Sequence, residues 1–328
     1  MFGIKYFVYY LMAPIVLGFG LVGNITALVV FFNGELKKIG PVLIYKLMFI
    51  FDTLYIIQII HFYLQFPFSL DLTILSRLSC KLWQYLSYQG DSITPIMLIY
   101  ISLEKYTSIG NPLKSRMLNK RKNQIIYFLC VFAYCSAYAI VVPFGYDLIE
   151  NIYETDSNRT NISSDFICNF VNYEMQVIIT FIDTLNRLIL PSILVLFFTF
   201  MLMLAVYRSR SRVSNSMQNQ KRRRRDLRLA GNCFFMNIAF ILLQTPTSVA
   251  YFLPNVFSEK IFFLSTLYIF FLSYGINFYV IFICNSLFRK EFFKIFNGKM
   301  DKEANKSTPR IKNNPETTIK ESNDRSNK

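Results

Sequence analysis

The chain has 328 residues, of which 53% are hydrophobic, 17% aromatic and only 17% charged, and its mean hydropathy is +0.35. Soluble domains carry roughly 25% charged residues, so much of this chain has no charge with which to face water; a soluble enzyme, a disulfide-stapled secreted module and a disordered chain are excluded. The formal net charge is nevertheless +15; a nucleic-acid binder would carry that charge on a soluble face among few long apolar runs, the opposite of the arrangement here.

A membrane-spanning helix needs about 20 mostly apolar residues. In chain order, residues 6–34 contain no Asp, Glu, Lys or Arg, 47–70 contain Asp52 alone, and 82–103 contain Asp91 alone. Residues 123–146 contain none, 175–207 contain Asp183 and Arg187, and 229–258 and 261–288 contain none. The runs are apolar all round, unlike barrel strands, which alternate. They predict an all-α membrane protein, a seven-transmembrane helix bundle with spans near 7–32, 42–66, 79–109, 123–145, 175–207, 229–253 and 260–284. Beyond them, residues 286–296 place Leu287, Phe288, Phe292 and Ile295 on one stripe, which predicts a short amphipathic eighth helix along the inner leaflet. Residues 1–296 form the expected membrane domain. Residues 297–328 are polar with almost no apolar side chains and are expected to be a disordered cytoplasmic tail. No cleavable-signal pattern precedes the first run, so it reads as an uncleaved signal anchor. There is no internal repeat of the kind many transporters carry.

Basic residues flanking the spans orient the chain, because Lys and Arg accumulate on the cytoplasmic side. With the N-terminus outside, the inner segments 33–41, 110–122 and 208–228 and the tail from 285 hold 27 of the 35 Lys and Arg residues. The outer side holds five: Lys5, Arg77, Lys81, Arg159 and Lys260. The outer loop 144–174 carries six acids and one base, a surface that speeds encounter with a basic peptide. It also contains two glycosylation acceptors, Asn158-Arg-Thr160 and Asn161-Ile-Ser163. The densest charge run, Lys221-Arg222-Arg223-Arg224-Arg225, falls inside, where it reads either as contact with a partner or anionic lipid, or as ordinary positive-inside bias.

Spacing adds landmarks. Cys80 opens the third span, and twenty-five positions later Lys105 closes it within Glu104-Lys105-Tyr106, followed by Pro112-Leu113. Gly23-Asn24 lies in the first span, Asp52 in the second, Pro191 in the fifth, Phe240 with Pro246 in the sixth and Asn277 in the seventh, with Asn285 and Phe288-Arg289 beyond. In this order and spacing, residues 21–296 resemble the rhodopsin-like (class A) family of G-protein-coupled receptors. The stretches 276–279 and 288–292 look most like invertebrate neuropeptide receptors of the FMRFamide type.

The resemblance implies a multi-pass plasma-membrane receptor with no enzymatic activity, taking an extracellular peptide or small-molecule ligand and acting on a heterotrimeric G protein. It implies a disulfide between Cys80 and Cys168, a cytoplasmic latch at Glu104, Lys105 and Tyr106, and helix hinges at Pro191 and Pro246. Around Asp52 it implies a polar core with Asn24, Thr94, Ser273 and Asn277 that in the family can hold a sodium ion, the one ion expected; the alternative is a closed hydrogen-bonded cluster. The chain departs from the family pattern at Lys105 in place of Arg, Gln244 in place of Trp, Thr199 in place of Tyr, Ala133 in place of Trp, and Phe278 and Ile281 in place of Pro and Tyr. Scaffold landmarks are retained while activation landmarks are altered.

An ionisable group within a span is a functional residue by default. Asp91, Asp183 and Arg187 are the charges available to a pocket in the outer half. Asp183 and Arg187 are four apart and share a helix face, and Arg187 also has Asp91 as a potential partner. These charges either read a ligand or lock the helices together. Gln244, Tyr251 and Tyr268, with Trp83 and Tyr88, are expected to line the cavity. Ser87 stands where amine receptors of the family carry Asp, which argues against an amine of that type. Cys130, Cys135, Cys233 and Cys284 lie within spans and read as packing residues, and His61 stands alone. A chemosensory receptor for small external molecules, or a transporter or channel, are the competing readings.

Overall fold

The computed structural model describes residues 2–33, 36, 41–154, 162–211, 217–252 and 260–307. Among the described residues the chain is helical apart from one hairpin and short connections. The helices are α1 (Phe2–Tyr6), α2 (Met12–Asn33), α3 (Val42–Ile56), α4 (Ile59–Phe68), α5 (Arg77–Gly110), α6 (Pro112–Leu118), α7 (Arg121–Ala139) and α8 (Val142–Gly145). The strands β1 (Tyr146–Glu154) and β2 (Ile162–Phe170) follow. Then come α9 (Tyr173–Thr184), α10 (Leu190–Ser211), α11 (Met217–Phe252), α12 (Lys260–Gly275), α13 (Asn277–Cys284) and α14 (Ser286–Ser307).

Among the described residues, four continuous helical stretches are long and apolar enough to cross a membrane: Ile4–Asn33, Val42–Phe68, Arg121–Gly145 and Tyr173–Ala205. The pair α12 and α13, bent by 48°, makes a fifth when taken together. In α11 the apolar part is the shorter stretch Phe234–Ala250. α5 differs because it packs against α3, α7, α10 and α11 at once and turns polar residues inward. Gln89, Asp91, Ser92, Thr94, Ser102 and Glu104 are all buried. A helix sheltered from lipid by its neighbours can carry such groups provided they find partners.

Local chemistry sets the ends of α5. Ser76 and Ser79 form a reciprocal capping box: the Ser79 N–H donates to Ser76 Oγ (3.0 Å) and the Ser76 N–H to Ser79 Oγ (2.9 Å). Asn111 then caps α6 by accepting from the Lys114 N–H, and Pro112 fills the first helical position.

Two prolines shape the interior. A proline cannot bond the carbonyl four residues back and its ring clashes with it. Pro191 stands four residues after Arg187, and the turn Leu185–Ile189 between α9 and α10 is π-helical, the wider winding that such a break accommodates. Pro95 stands four after Asp91, whose freed carbonyl accepts the Tyr274 hydroxyl at 3.0 Å.

Among the described residues the apolar core falls into two large clusters and a small third one of Cys80, Val142, Tyr146 and Ile179 under the hairpin. The first large cluster joins α2, α3, α5, α10, α11 and α13 around Met48, Phe49, Met97, Leu202 and Phe240; the second joins α2, α3, α4 and α12 around Ile56, Ile59 and Phe271.

Two sequence expectations need correcting. The fold is not all-α, because a β-hairpin follows α8: β1 and β2 pair antiparallel from Tyr146↔Phe170 to Glu154↔Ile162, with its base held by the Cys80–Cys168 disulfide and by the tilted Tyr146 and Phe170 rings, 4.1 Å apart. α14 runs to Ser307, past the boundary at 296, through residues such as Lys299, Met300, Lys302, Glu303 and Ala304 that favour helix. The acceptors Asn158 and Asn161 lie outside the described residues.

α2 and α12 cross at Gly20 and Gly275, where a Cβ on Gly275 would stand 2.7 Å from the Gly20 Cα. Small residues at such crossings let backbones approach in a membrane bundle. Gly275→Ala should therefore destabilise the purified protein by about 1–3 kcal/mol. Gly18→Ala, with open space around its Cβ, should not, and equal melting of the two variants would contradict this crossing.

Candidate functional site

At the hairpin end of the bundle lies a cavity of about 380 Å³. Its roof comes from Tyr146, Cys168 and Asn169 of the hairpin, and its walls from α3, α4, α5, α9, α11 and α12. The roof is tied down by the disulfide Cys80–Cys168, with Cα atoms 5.6 Å apart and 88 positions separating them. Closing a loop of that length stabilises by about 4–5 kcal/mol in the chain-entropy account.

Three charged side chains reach this cavity from the middle of the bundle. Arg187, only 2% exposed, holds its Nε 3.2 Å from Asp183 Oδ2 and 3.5 Å from Asp91 Oδ2. The first contact follows from i,i+4 spacing into the π-helical turn; the second joins α5 to that turn. The Arg187 Nη1 donates to Gln244 Oε1 on α11 (3.0 Å), and the guanidinium lies over the Phe270 ring of α12 at 4.8 Å. The carboxylates are steadied in turn. The Tyr138 hydroxyl donates to Asp183 Oδ1 (3.2 Å) and the Ser92 hydroxyl to Asp91 Oδ1 (3.0 Å). Gln244 passes the chain onward, its Nε2 donating to Ser273 Oγ (2.9 Å) and the Tyr274 hydroxyl oxygen (3.3 Å). One polar network thus runs from the cavity wall to α11 and α12.

Trp83 and Tyr88 line the cavity, but two other expected lining residues do not. Gln244 is fully buried beneath the wall, because Arg187 stands between it and the space. Tyr268 packs into the second apolar core beside Val8, Ala13 and Leu264, since its face of α12 meets α2. The Tyr251 side chain lies outside the described residues. In the sequence His61 stood alone and Asp71 was not singled out; both line the cavity, with Nε2 and Oδ1 3.8 Å apart. The signal was present, because a histidine within an apolar run is itself an ionisable intramembrane group.

Deeper in the bundle, Asp52 is fully buried. Thr94 Oγ1 donates to its Oδ1 (2.5 Å) and Asn277 Nδ2 to its Oδ2 (3.0 Å). Asn24 and Ser273 are turned elsewhere: Asn24 Nδ2 donates to the Tyr274 carbonyl (3.1 Å) and Ser273 Oγ to the Phe270 carbonyl (2.7 Å). A sodium cage needs converging oxygens. Here Asp52 and Thr94 already satisfy each other and Asn277 presents its N–H. Asp52, Thr94 and Asn277 thus form a hydrogen-bonded polar core, while Asn24 and Ser273 bond to backbone carbonyls beside it.

At the opposite end, Glu104 is 2% exposed and Lys105 is 13% exposed, with Nζ 2.9 Å from Oε2. The other carboxylate oxygen accepts from Asn119 (2.8 Å) and Ser115 (3.3 Å), and the Tyr100 hydroxyl donates to the Leu118 carbonyl (2.6 Å). Glu104 therefore fastens α6 to α5 as well as holding Lys105, while Tyr106 packs against the first apolar core. Asn237 of α11 donates to Ser102 (3.1 Å) and to Thr199 of α10 (2.8 Å), which gives Thr199 a role in linking helices.

Arg187→Met removes the cation that two buried carboxylates share. Breaking a buried ion pair from one side costs about 3–5 kcal/mol, so the variant should melt well below the parent, whereas Arg187→Lys should recover part of the loss. Melting of Arg187→Met at the parent temperature would show that the ion network does not hold these helices.

Residues 23–276 match the profile of the 7 transmembrane receptor (rhodopsin family). No curated protein matched the chain. The matched region takes in the disulfide, the cavity, the ion network, Asp52 with Thr94 and the Glu104–Lys105 pair, and several apolar helices accompany it. The protein is a multi-pass membrane protein and not an enzyme. On this match the chain belongs to the rhodopsin family of seven-transmembrane receptors.

Proposed function

We propose that the protein is a plasma-membrane receptor with seven spans and its N-terminus outside, which binds a neuropeptide in the cavity under the hairpin and acts on a heterotrimeric G protein. Receptors of this family in general take an extracellular ligand and a G-protein partner. The observation that carries the reading is the polar network from Asp91 and Asp183 through Arg187 to Gln244. It ties the cavity wall to α11 two residues before Pro246, where a ligand that disturbs Arg187 would move α11 about its proline break. The bias of basic residues toward the Glu104–Lys105 end supports the orientation. The acidic hairpin segment supports a peptide ligand, whose terminus fits the cavity while the rest lies across the hairpin.

Lys105 is a point charge and lacks the two-pronged donor geometry of Arg. Its pairing with Glu104 needs only the charge, so the latch role does not depend on that geometry. A second reading, a chemosensory receptor, is favoured by the cavity volume: about 380 Å³ lies in the range that encloses a whole small molecule.

Expression with promiscuous G proteins, challenged with amidated peptide libraries, tests the proposal. Peptide-dependent activation supports it. Silence with surface expression confirmed favours the chemosensory reading, and ion flux without G-protein activation favours a transporter or channel. In the same cells Glu104→Ala should raise ligand-independent signalling, and unchanged basal signalling would contradict the latch role.

A further inference from the structure

The cavity wall carries an imbalance of charge. Asp91 and Asp183 both point their Oδ2 atoms at a single nitrogen, Nε of Arg187, at 3.5 and 3.2 Å. One N–H cannot serve two acceptors fully, and the other partners of the carboxylates, the Tyr138 and Ser92 hydroxyls, are neutral. The Arg187 Nη1 is spent on the neutral Gln244. Two acidic side chains therefore share one guanidinium, and neither has a cationic partner of its own, a shortage of counter-charge that is costly inside a membrane bundle. All three side chains line the cavity, so something entering it can reach them. The other acid in the wall, Asp71, is already committed. Its Oδ1 accepts from the Thr73 N–H and hydroxyl and its Oδ2 from Gln65.

We propose that the occupant of this cavity carries a cationic group, an ammonium or a guanidinium, that seats between the Asp91 and Asp183 carboxylates and takes over part of their contact with Arg187. This deepens the receptor reading and rests on it. A cation gives the second acidic group a charged partner of its own, where an anion would meet two carboxylates and a neutral group would add no counter-charge. Arg187, relieved of one partner, is then free to shift relative to Gln244, so the chemistry that selects the ligand also perturbs the network that reaches α11. A basic peptide terminus or side chain supplies such a group, as does a small amine.

The test uses the full chain purified in lipid nanodiscs, with benzylguanidinium and its neutral isostere benzylurea as probes and thermal stability as the readout. A ligand that binds only the folded state raises the melting temperature in proportion to its occupancy. Benzylguanidinium should raise it in a concentration-dependent way and benzylurea should not. Asp91→Asn and Asp183→Asn should each require about tenfold more benzylguanidinium for the same shift, the effect of one charge-assisted hydrogen bond. Arg187→Gln, which removes the competing cation, should respond at a lower concentration than the parent. Equal shifts from both probes, no shift from either, or a response unchanged in both Asn variants would overturn the proposal. The comparison of the two probes on the parent protein stands even if a variant fails to fold. Because the readout needs no G protein, failure here leaves the receptor reading intact, and a receptor silent in signalling leaves this result intact.

Discussion

A guanidinium with 2% of its surface exposed, in the middle of an apolar bundle, has to find its partners inside the protein. Arg187 finds them on four elements: Asp183 on its own helical stretch, Asp91 on α5, Gln244 on α11 and the Phe270 ring on α12. The positions of those helices around the cavity are therefore not independent. A change at either carboxylate alters what Arg187 can offer Gln244, and Gln244 alters what reaches Ser273 and Tyr274. Membrane bundles lack the water-driven association that packs soluble helices, so interhelical polar contacts and close backbone approach carry more of the specification. Arg187 and the Gly20–Gly275 crossing supply one of each.

Prolines put this network where it is. Pro191 and Pro95 each stand four residues after a member of it, Arg187 and Asp91, and each removes the backbone bond that residue's carbonyl would otherwise accept. At Asp91 the released carbonyl takes the Tyr274 hydroxyl; at Arg187 the helix widens into a π turn. Backbone disruption and side-chain charge thus coincide, and the irregular backbone lies at the cavity, where protein groups satisfy it.

The apolar runs and the isolated charges were legible in the sequence because lipid leaves little choice: a span without charge is visible by inspection, and a charge within one stands out. The i,i+4 spacing of Asp183 and Arg187 made their contact readable, and the third partner, Asp91, was one of few groups left to meet them. The Cys80–Cys168 pairing came from the resemblance. The direction a helix face takes was not legible. Tyr268 and Gln244 both lie on helices that border the cavity, yet a rotation fixed by packing against α2 and by Arg187 turns them from it. Ser273 and Asn24 likewise turn from the Asp52 cluster, each donating to a backbone carbonyl of α12 instead. The attachment of Glu104 to Asn119 depends on the turn between α5 and α6, whose geometry no periodicity reveals. The hairpin was obscured by its place, since the segment between two spans reads as a loop when its mixed apolar and polar residues belong to paired strands.

The central claim is that the cavity charges and α11 are coupled through one contact, Arg187 to Gln244. A double-mutant cycle on thermal stability tests it most directly, comparing Arg187→Met, Gln244→Leu and the two together. Coupling through a charge-assisted hydrogen bond predicts a non-additive term of about 1 kcal/mol or more. Additivity within about 0.5 kcal/mol, as for independent sites, would contradict it.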